Sequence, residues 1–244
     1  MIDKIKIKKF YGFGEDKAPI HYRPGTSDEA IIDAILVKQQ EYRFPNFQPK
    51  LCFDCGGNIG VVACILANIY PKAQIHTFEP DEENFRLLQI NTDFYSQITA
   101  HNYGLGASTG KKALYPSEDP TNLGGFSNFI KHGEPSEIQV YSIQSVVRDI
   151  GTPDLIKIDV EGAECEILRN FPNLKDVRWI CGELHGEDAE YLCLHNLNTH
   201  FRLAHTRGFM DKTWHFHALN REWIDFGMET SKPWGKRQIG LVPG

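Results

Sequence analysis

Leu51-Cys52-Phe53-Asp54-Cys55-Gly56-Gly57-Asn58-Ile59-Gly60 runs straight into Val61-Val62-Ala63-Cys64-Ile65-Leu66-Ala67-Asn68-Ile69. A short apolar run ends in an acid, turns through glycines and opens an apolar helix. Strand, glycine turn, then helix is the order by which an α/β fold lays backbone amides against a nucleotide-like ligand. Gly56 and Gly57 carry no Cβ, so the chain can turn tightly and approach a ligand closely there. Gly60, one turn further, lets the helix sit close to its strand.

Downstream, the same alternation repeats. Pro71 stops the helix, and residues 73–78 read as a second strand ending at Glu79-Pro80. Asp81-Glu82-Glu83 put negative charge into the first turn of another helix, where the macrodipole favours it; Leu87, Leu88 and Ile90 form its apolar side. A third strand is predicted over 98–103, leading to Gly104-Leu105-Gly106 and a turn at 108–110. Residues 111–140 are rich in Pro, Gly, Ser and Asn and read as a long loop, the kind that covers a site or moves. A helix over 142–149, a fourth strand over 154–159 and a helix starting at Val160 follow. A fifth strand over 177–184 ends beside Glu183 and His185. After a helix over about 187–200, the segments 201–206 and 213–219 read as antiparallel strands joined through Gly208.

This pattern predicts an α/β fold with a doubly wound, mostly parallel sheet and an antiparallel C-terminal strand. It reads as a single domain, 1–244, in which residues 1–50 form an N-terminal lid and helical segment, 51–220 the core and 221–244 a tail. In the lid, Thr26 or Ser27 can cap a helix whose apolar positions are 31, 32, 35 and 36. Arg23 and Asp28 there either pack or face a ligand.

Composition narrows the function. The chain has 244 residues, 41% of them hydrophobic, enough for a full core. No apolar run reaches the ~18 residues of a membrane span, and the charged start Met1 to Phe10 has no signal-peptide core. The expectation is a cytoplasmic protein. A formal net charge of −6 argues against a nucleic-acid partner. Six cysteines lie in apolar contexts. Cys52 and Cys55, three apart on one predicted strand, point to opposite faces and cannot share a metal or a disulfide, so buried free thiols are expected.

The acids select the ligand. Glu79 ends the second strand, where a carboxylate can take both hydroxyls of a ribose. NAD and S-adenosylmethionine (SAM) share that ribose. The turn lacks the first glycine of G-x-G-x-x-G, and Asp54 would aim a carboxylate at the place of a pyrophosphate. Asp159 and Glu161 end the fourth strand at the same edge of the sheet. Acids collected there suit a sulfonium and an ammonium better than a phosphate, which favours SAM over an NAD-dependent oxidoreductase.

Phe53-Asp54-Cys55-Gly56-Gly57-Asn58-Ile59-Gly60, Phe78-Glu79-Pro80, Asn91, Lys157-Ile158-Asp159-Val160-Glu161-Gly162-Ala163-Glu164 and Glu183-Leu184-His185 together resemble the FkbM family of SAM-dependent methyltransferases. The likeness spans about residues 20–220; Gly57 departs from it, since alanine is common there. The resemblance implies a Rossmann-like class I methyltransferase fold and transfer to oxygen, commonly a hydroxyl of a sugar or secondary metabolite. It implies that Gly56, Asn58 and Gly60 line the methionine and sugar part of SAM, that Glu79 holds the ribose, and that Asn102 and Tyr103 lie near the adenine. With Asp54 and Gly57, these form the expected cofactor set.

Methyl transfer needs the acceptor oxygen aligned with the sulfonium carbon and its proton removed. Asp159, Glu161, Glu183 and His185 sit where that base must be, and His185 is the first choice because imidazole titrates near neutrality. Asp159, Glu183 and His185 could instead hold a divalent ion, although no metal set is assigned. His215-x-His217 and Trp214, Trp223 and Trp234 have plainer readings as surface or substrate-loop histidines and packing aromatics. The rival from another class is a SAM-binding interaction domain without chemistry.

Overall fold

A computed structural model describes residues 6–9, 19–38, 42–117, 122, 133–185, 194–207 and 213–226. The chain opens with an antiparallel pair, β1 (Lys6–Lys9) and β2 (Pro19–Tyr22), which the charged N-terminal sequence did not signal. Helix α1 (Ser27–Ile32) is capped by Thr26, whose hydroxyl accepts from the Asp28 amide, and it continues as a π-helical turn over Asp33–Lys38. The opening stretch of the sequence becomes β3 (Leu51–Cys55) and α2 (Val61–Ile69). Then come β4 (Gln74–Phe78), α3 (Glu82–Thr92) capped by Asp81, β5 (Ile98–His101), β6 (Gly104–Gly106), β7 (Gly110–Leu114) and β8 (Ser136–Ser142). They lead to α4 (Ile143–Ile150), β9 (Leu155–Ile158), α5 (Glu164–Arg169), β10 (Trp179–His185), α6 (Leu194–His200), β11 (Phe201–Arg207) and β12 (Thr213–Asn220).

Among the described residues, seven strands form the central sheet in the order β11-β12-β10-β9-β3-β4-β5. The five from β10 to β5 are mutually parallel, and β12 and β11 close the other side antiparallel. β3 runs buried between two covered faces, as a central parallel strand must. Cys52 belongs to the apolar core under α2 and the N-terminal segment; Phe53 and Cys55 belong to the core under α4 and α5. Cys52 and Cys55 are therefore free thiols on opposite faces, as their spacing implied. From β3 the chain winds outward through β4 and β5, then returns through β9 on the other side. The reversal between β3 and β9 opens a crevice beyond the carboxyl ends of the strands, where such sheets bind ligands. None of the described helices is long and apolar enough to cross a membrane.

Several elements differ from the sequence reading. The long loop at 111–140 is bounded by strands: β6, β8 and β7 form a second, three-stranded sheet beside the crevice. The third strand stops at His101, earlier than predicted. Residues 160–163 are not helical, because Glu161 and Gly162 have φ of 55° and 115° and the Glu164 carboxylate takes the amides of Val160 and Gly162. Ile90 points to solvent at 49% exposure. The buried side of α3 includes the polar Asn84 and Asn91 because the N-terminal segment docks there. The helix predicted from 187 is described only from Leu194, and Gly208, Trp234 and Cys193 lie outside the described residues.

Candidate active site

Register across the sheet sets the floor of the site. Asp54 on β3 lies opposite Thr77 on β4 and Lys157 on β9, so three side chains form a buried row. The Thr77 hydroxyl donates to Asp54 Oδ2 at 2.8 Å, and Lys157 Nζ stands 3.4 Å from Oδ1. Lys157 also donates to the carbonyl oxygen of Gly56 at 2.6 Å and thereby holds the glycine turn. Burial opposes the charge of Lys157, but Asp54 and Asp159 outweigh it and push its pKa up.

Asp54 thus lies beneath the crevice, fully buried, and does not line it, contrary to the expected aim at the ligand. A buried ion pair of this kind is costly to break, since the remaining charge has no water to replace its partner. Lys157 is not among the site residues expected from the sequence; its signal there is a lone lysine inside an otherwise apolar strand.

The glycine turn above this row is shaped by close approach. Gly56 has φ of +82°, and a Cβ there would lie 1.8 Å from the Asp159 carbonyl oxygen. The amides of Gly56 and Gly57 both donate to the Phe78 carbonyl, and the amide of Asn58 donates to Glu79 Oε2 at 2.8 Å. These amides are spent inside the protein and are not offered to a phosphate, a difference from the usual use of such a turn. Gly60, at φ +88°, caps α2 and packs against Leu88 and Thr92 of α3. It does not line the cavity.

The cavity has a volume of about 1030 Å³, larger than most single small-molecule pockets need. Gly56, Gly57, Asn58 and Glu79 line it near the turn; Asp159, Glu161 and Glu183 line it at the other strand ends. Ser27, Ile31, Ile35 and Tyr42 cover it from the N-terminal segment, and Lys112, Leu114, Ile138 and Val140 wall it from the three-stranded sheet.

Glu79 is buried, and its oxygens accept from the amides of Asn58 and Asp81. Burial pushes its carboxyl up to about 7, against the pull of those two amides. Asn58 Oδ1 is buried without a hydrogen-bond partner among the described residues. Asn102 is exposed and donates to the Glu79 and Pro80 carbonyls, and it is not among the residues that line the cavity. Tyr103 packs among Phe78, His101 and Tyr141. The lining residues in that region are Gly104 and Leu105.

The second group of acids surrounds His185. Its Nδ1 lies 3.0 Å from Glu164 Oε1, and its Nε2 lies 3.5 Å from both Glu161 and Glu183. Burial lowers the imidazole pKa, but the hydrogen-bonded carboxylates Glu164 and Glu183, then Asp159, override it and push it up to about 12. His185 is therefore held protonated in this setting, and the expectation of an imidazole titrating near neutrality fails on its carboxylate neighbours.

Glu161 is raised to about 8, by burial and then by Asp159. Burial also works to raise Asp159, but Lys157, His185 and the Tyr42 hydroxyl, 2.7 Å from Oδ2, win and lower it. Glu164, outside the candidate bases that the sequence offers, is the residue that gathers the 160–163 turn to His185. His215 sits 3.2 Å from Glu183, and the His217 ring stacks on Trp179.

Arg23 and Asp28 do not face the cavity. They pair with each other at 2.9 Å, and Arg23 also donates to Asn84 of α3 at 2.7 Å. Asn91 continues this seam: its side chain bonds the backbone of His21 and the Ile59 carbonyl. The N-terminal segment is thereby fastened to α3 and to the glycine turn.

A sequence profile of the methyltransferase FkbM domain matches residues 54–213. The chain is 32% identical over 163 residues to the hexuronic acid methyltransferase AglP of Haloferax volcanii, covering 65% of this chain and 63% of that protein. It is 29% identical over 149 residues to Methyltransferase 1 of Beauveria bassiana, covering 52% and 59%. It is 28% identical over 155 residues to methyltransferase sdnD of Sordaria araneosa, covering 48% and 58%. The chain spans about 60% of the length of these curated relatives. Among solved structures, the fibrillarin pre-rRNA processing protein of Methanococcus jannaschii aligns at 13% identity and TM-score 0.48, over 90% of this chain and 84% of that one.

Proposed function

This chain belongs to the FkbM methyltransferase family and has the class I methyltransferase fold, and from that premise we propose that it uses SAM to methylate a hydroxyl of a small molecule such as a sugar. The observation that carries the reading is the charge of the cavity. Glu79, Asp159, Glu161 and Glu183 line it, while its cations among the described residues, Lys112 and Lys157, are paired with Glu166 and Asp54. Such a wall favours a cationic ligand and opposes a pyrophosphate. The turn amides already committed to Phe78 and Glu79 weigh the same way against NAD.

SAM, when bound, supplies the electrophilic methyl group. Glu79 is placed to accept from the ribose hydroxyls, and Asn58 Oδ1, which has no partner among the described residues, offers a further acceptor within the turn. The acids at the ends of β9 and β10 stand at the acceptor end. Among them Glu161 is the most open, with a side chain 36% exposed. Its left-handed backbone, φ 55°, marks a conformation that costs free energy and is kept where a site requires it. Glu161, in its ionised form, receives the acceptor proton in this scheme, which places full activity above about pH 8, while Asp159, tied to Tyr42, stays in place beside it. Most of the rate comes from alignment, worth up to roughly 7–11 kcal/mol, with the base adding about 10²- to 10⁴-fold.

The acceptor class draws on the hexuronic acid methyltransferase as a relative. Calorimetric titration of the purified chain with SAM and with NADH, followed by a screen of hydroxylated sugars with labelled SAM, tests the proposal. Binding of SAM and release of S-adenosylhomocysteine with a sugar acceptor are expected. NADH binding without SAM binding would reject it.

A further inference from the structure

The acids around His185 are arranged more tightly than proton transfer requires. One ligand atom from each of Asp159, Glu164 and His185 lies within 4.8 Å of the other two. Any two donors that close can share a single ion at ligand distances of about 2.0–2.4 Å, and a small side-chain adjustment brings in the third. Two of the three are anchored from outside the cluster. The Tyr42 hydroxyl holds Asp159 Oδ2, and the Val160 and Gly162 amides hold Glu164. Among the described residues, Glu164 Oε2 takes the Gly162 amide alone and keeps a lone pair to spare.

An independent observation points to a ligand. Asp159 Oδ1 is buried and accepts no hydrogen bond among the described residues, although its sister oxygen is satisfied. A buried carboxylate oxygen left without a donor is costly, and a cation is one of the few partners that repays it.

We propose that Asp159, Glu164 and His185 hold a divalent cation at the acceptor end of the cavity, and that the acceptor therefore presents neighbouring hydroxyl oxygens to it. This deepens the methyltransferase reading and rests on it. Two carboxylates and one imidazole, which gives up its proton as the ion takes the place of that charge, are a donor set for Mg²⁺ or Mn²⁺, hard ions that keep open positions for water or substrate oxygens. The ion would polarise the attacking hydroxyl and fix its direction. In the transfer, the acceptor oxygen bonds to the methyl carbon as the carbon–sulfur bond breaks, with that electron pair remaining on sulfur. The hydroxyl proton passes to Glu161, and the ion is unchanged. Glu161 lines the cavity outside the ligand set and stays available for that step.

Mn²⁺ alone, titrated into the full chain and followed by loss of the free-ion electron paramagnetic resonance signal, tests the site without any turnover. One Mn²⁺ per chain is expected, bound at least tenfold more weakly in Asp159→Asn and in His185→Ala, and equally well in Glu82→Gln, an exposed acid elsewhere. Calorimetry with SAM on the same Asp159→Asn protein, read beside its circular dichroism, separates loss of the ion from loss of the fold. A 1,2-diol should lower the water relaxation enhancement of bound Mn²⁺ by displacing its water; no change overturns the acceptor half of the proposal. Wild-type protein that takes up no Mn²⁺ at millimolar concentration, or Asp159→Asn that binds it as tightly as wild type, overturns the site. Failure of wild-type protein to bind SAM would strike the methyltransferase reading instead, whatever Mn²⁺ does.

Discussion

Glu79 and Glu161 show how one residue type takes two tasks from its surroundings. Glu79 is enclosed and bonded to two amides, and its carboxyl is pushed up to about 7 by burial. If it accepts from ribose hydroxyls, it must be ionised to do so on both oxygens. SAM affinity should then be constant well above pH 7 and fall about tenfold per pH unit below it, as the protonated fraction grows. Glu79→Gln should weaken SAM by roughly 1.5–3 kcal/mol and flatten that profile. Calorimetry from pH 5.5 to 8.5 checks both, and an unchanged affinity removes the ribose role. For Glu161, substitution by Gln keeps shape and removes the base. Turnover should fall about 10²-fold or more while SAM affinity is kept; full activity would take proton removal away from this side chain.

Elements join at a few polar side chains whose removal should act on docking and not on chemistry. Asn91 on α3 is the clearest, since a single amide meets the His21 backbone from the N-terminal segment and the Ile59 carbonyl of the glycine turn. Asn91→Ala should leave buried backbone groups without partners and cost about 1–3 kcal/mol. The denaturation midpoint should fall, and proteolysis of the N-terminal segment should speed up. If the midpoint holds and the cleavage rate is unchanged, the seam is not what fastens that segment. The short α5 illustrates the same economy: the Glu164 side chain, reaching back to the Val160 and Gly162 amides, shapes the turn that carries Glu161 into the cavity.

For the whole molecule, the doubly wound sheet brings residues from distant parts of the chain to one edge. Ligand binding there should stabilise all of it. SAM at about 100 times its dissociation constant should add roughly 2.7 kcal/mol, a rise of about 5–10 °C in the thermal midpoint for a domain of this size. NADH at the same concentration should leave the midpoint where it was. Equal shifts from both would mean that the cavity does not discriminate between a sulfonium and a pyrophosphate.

Most of the layered architecture could be read in the sequence, because strands and helices follow local periodicity and the glycine turn between them has one chain direction. The turn, Glu79 at the end of β4 and Asp159 and Glu161 after β9 were legible for that reason. The small sheet of β6, β7 and β8 was not, since its strands are short and polar and pair across an intervening loop. Nor was the fate of each acid. Asp54, Thr77 and Lys157 meet only through the register of three strands, which turns an acid expected at the ligand into part of a buried row. His185 meets Glu161, Glu164 and Glu183 only through the fold, which turns an expected base into a protonated imidazole. Local pattern determined which residues would stand at the strand ends. Their neighbours, and with them their charges, were decided by tertiary structure, because burial and electrostatic pairing depend on contacts between residues far apart in the chain.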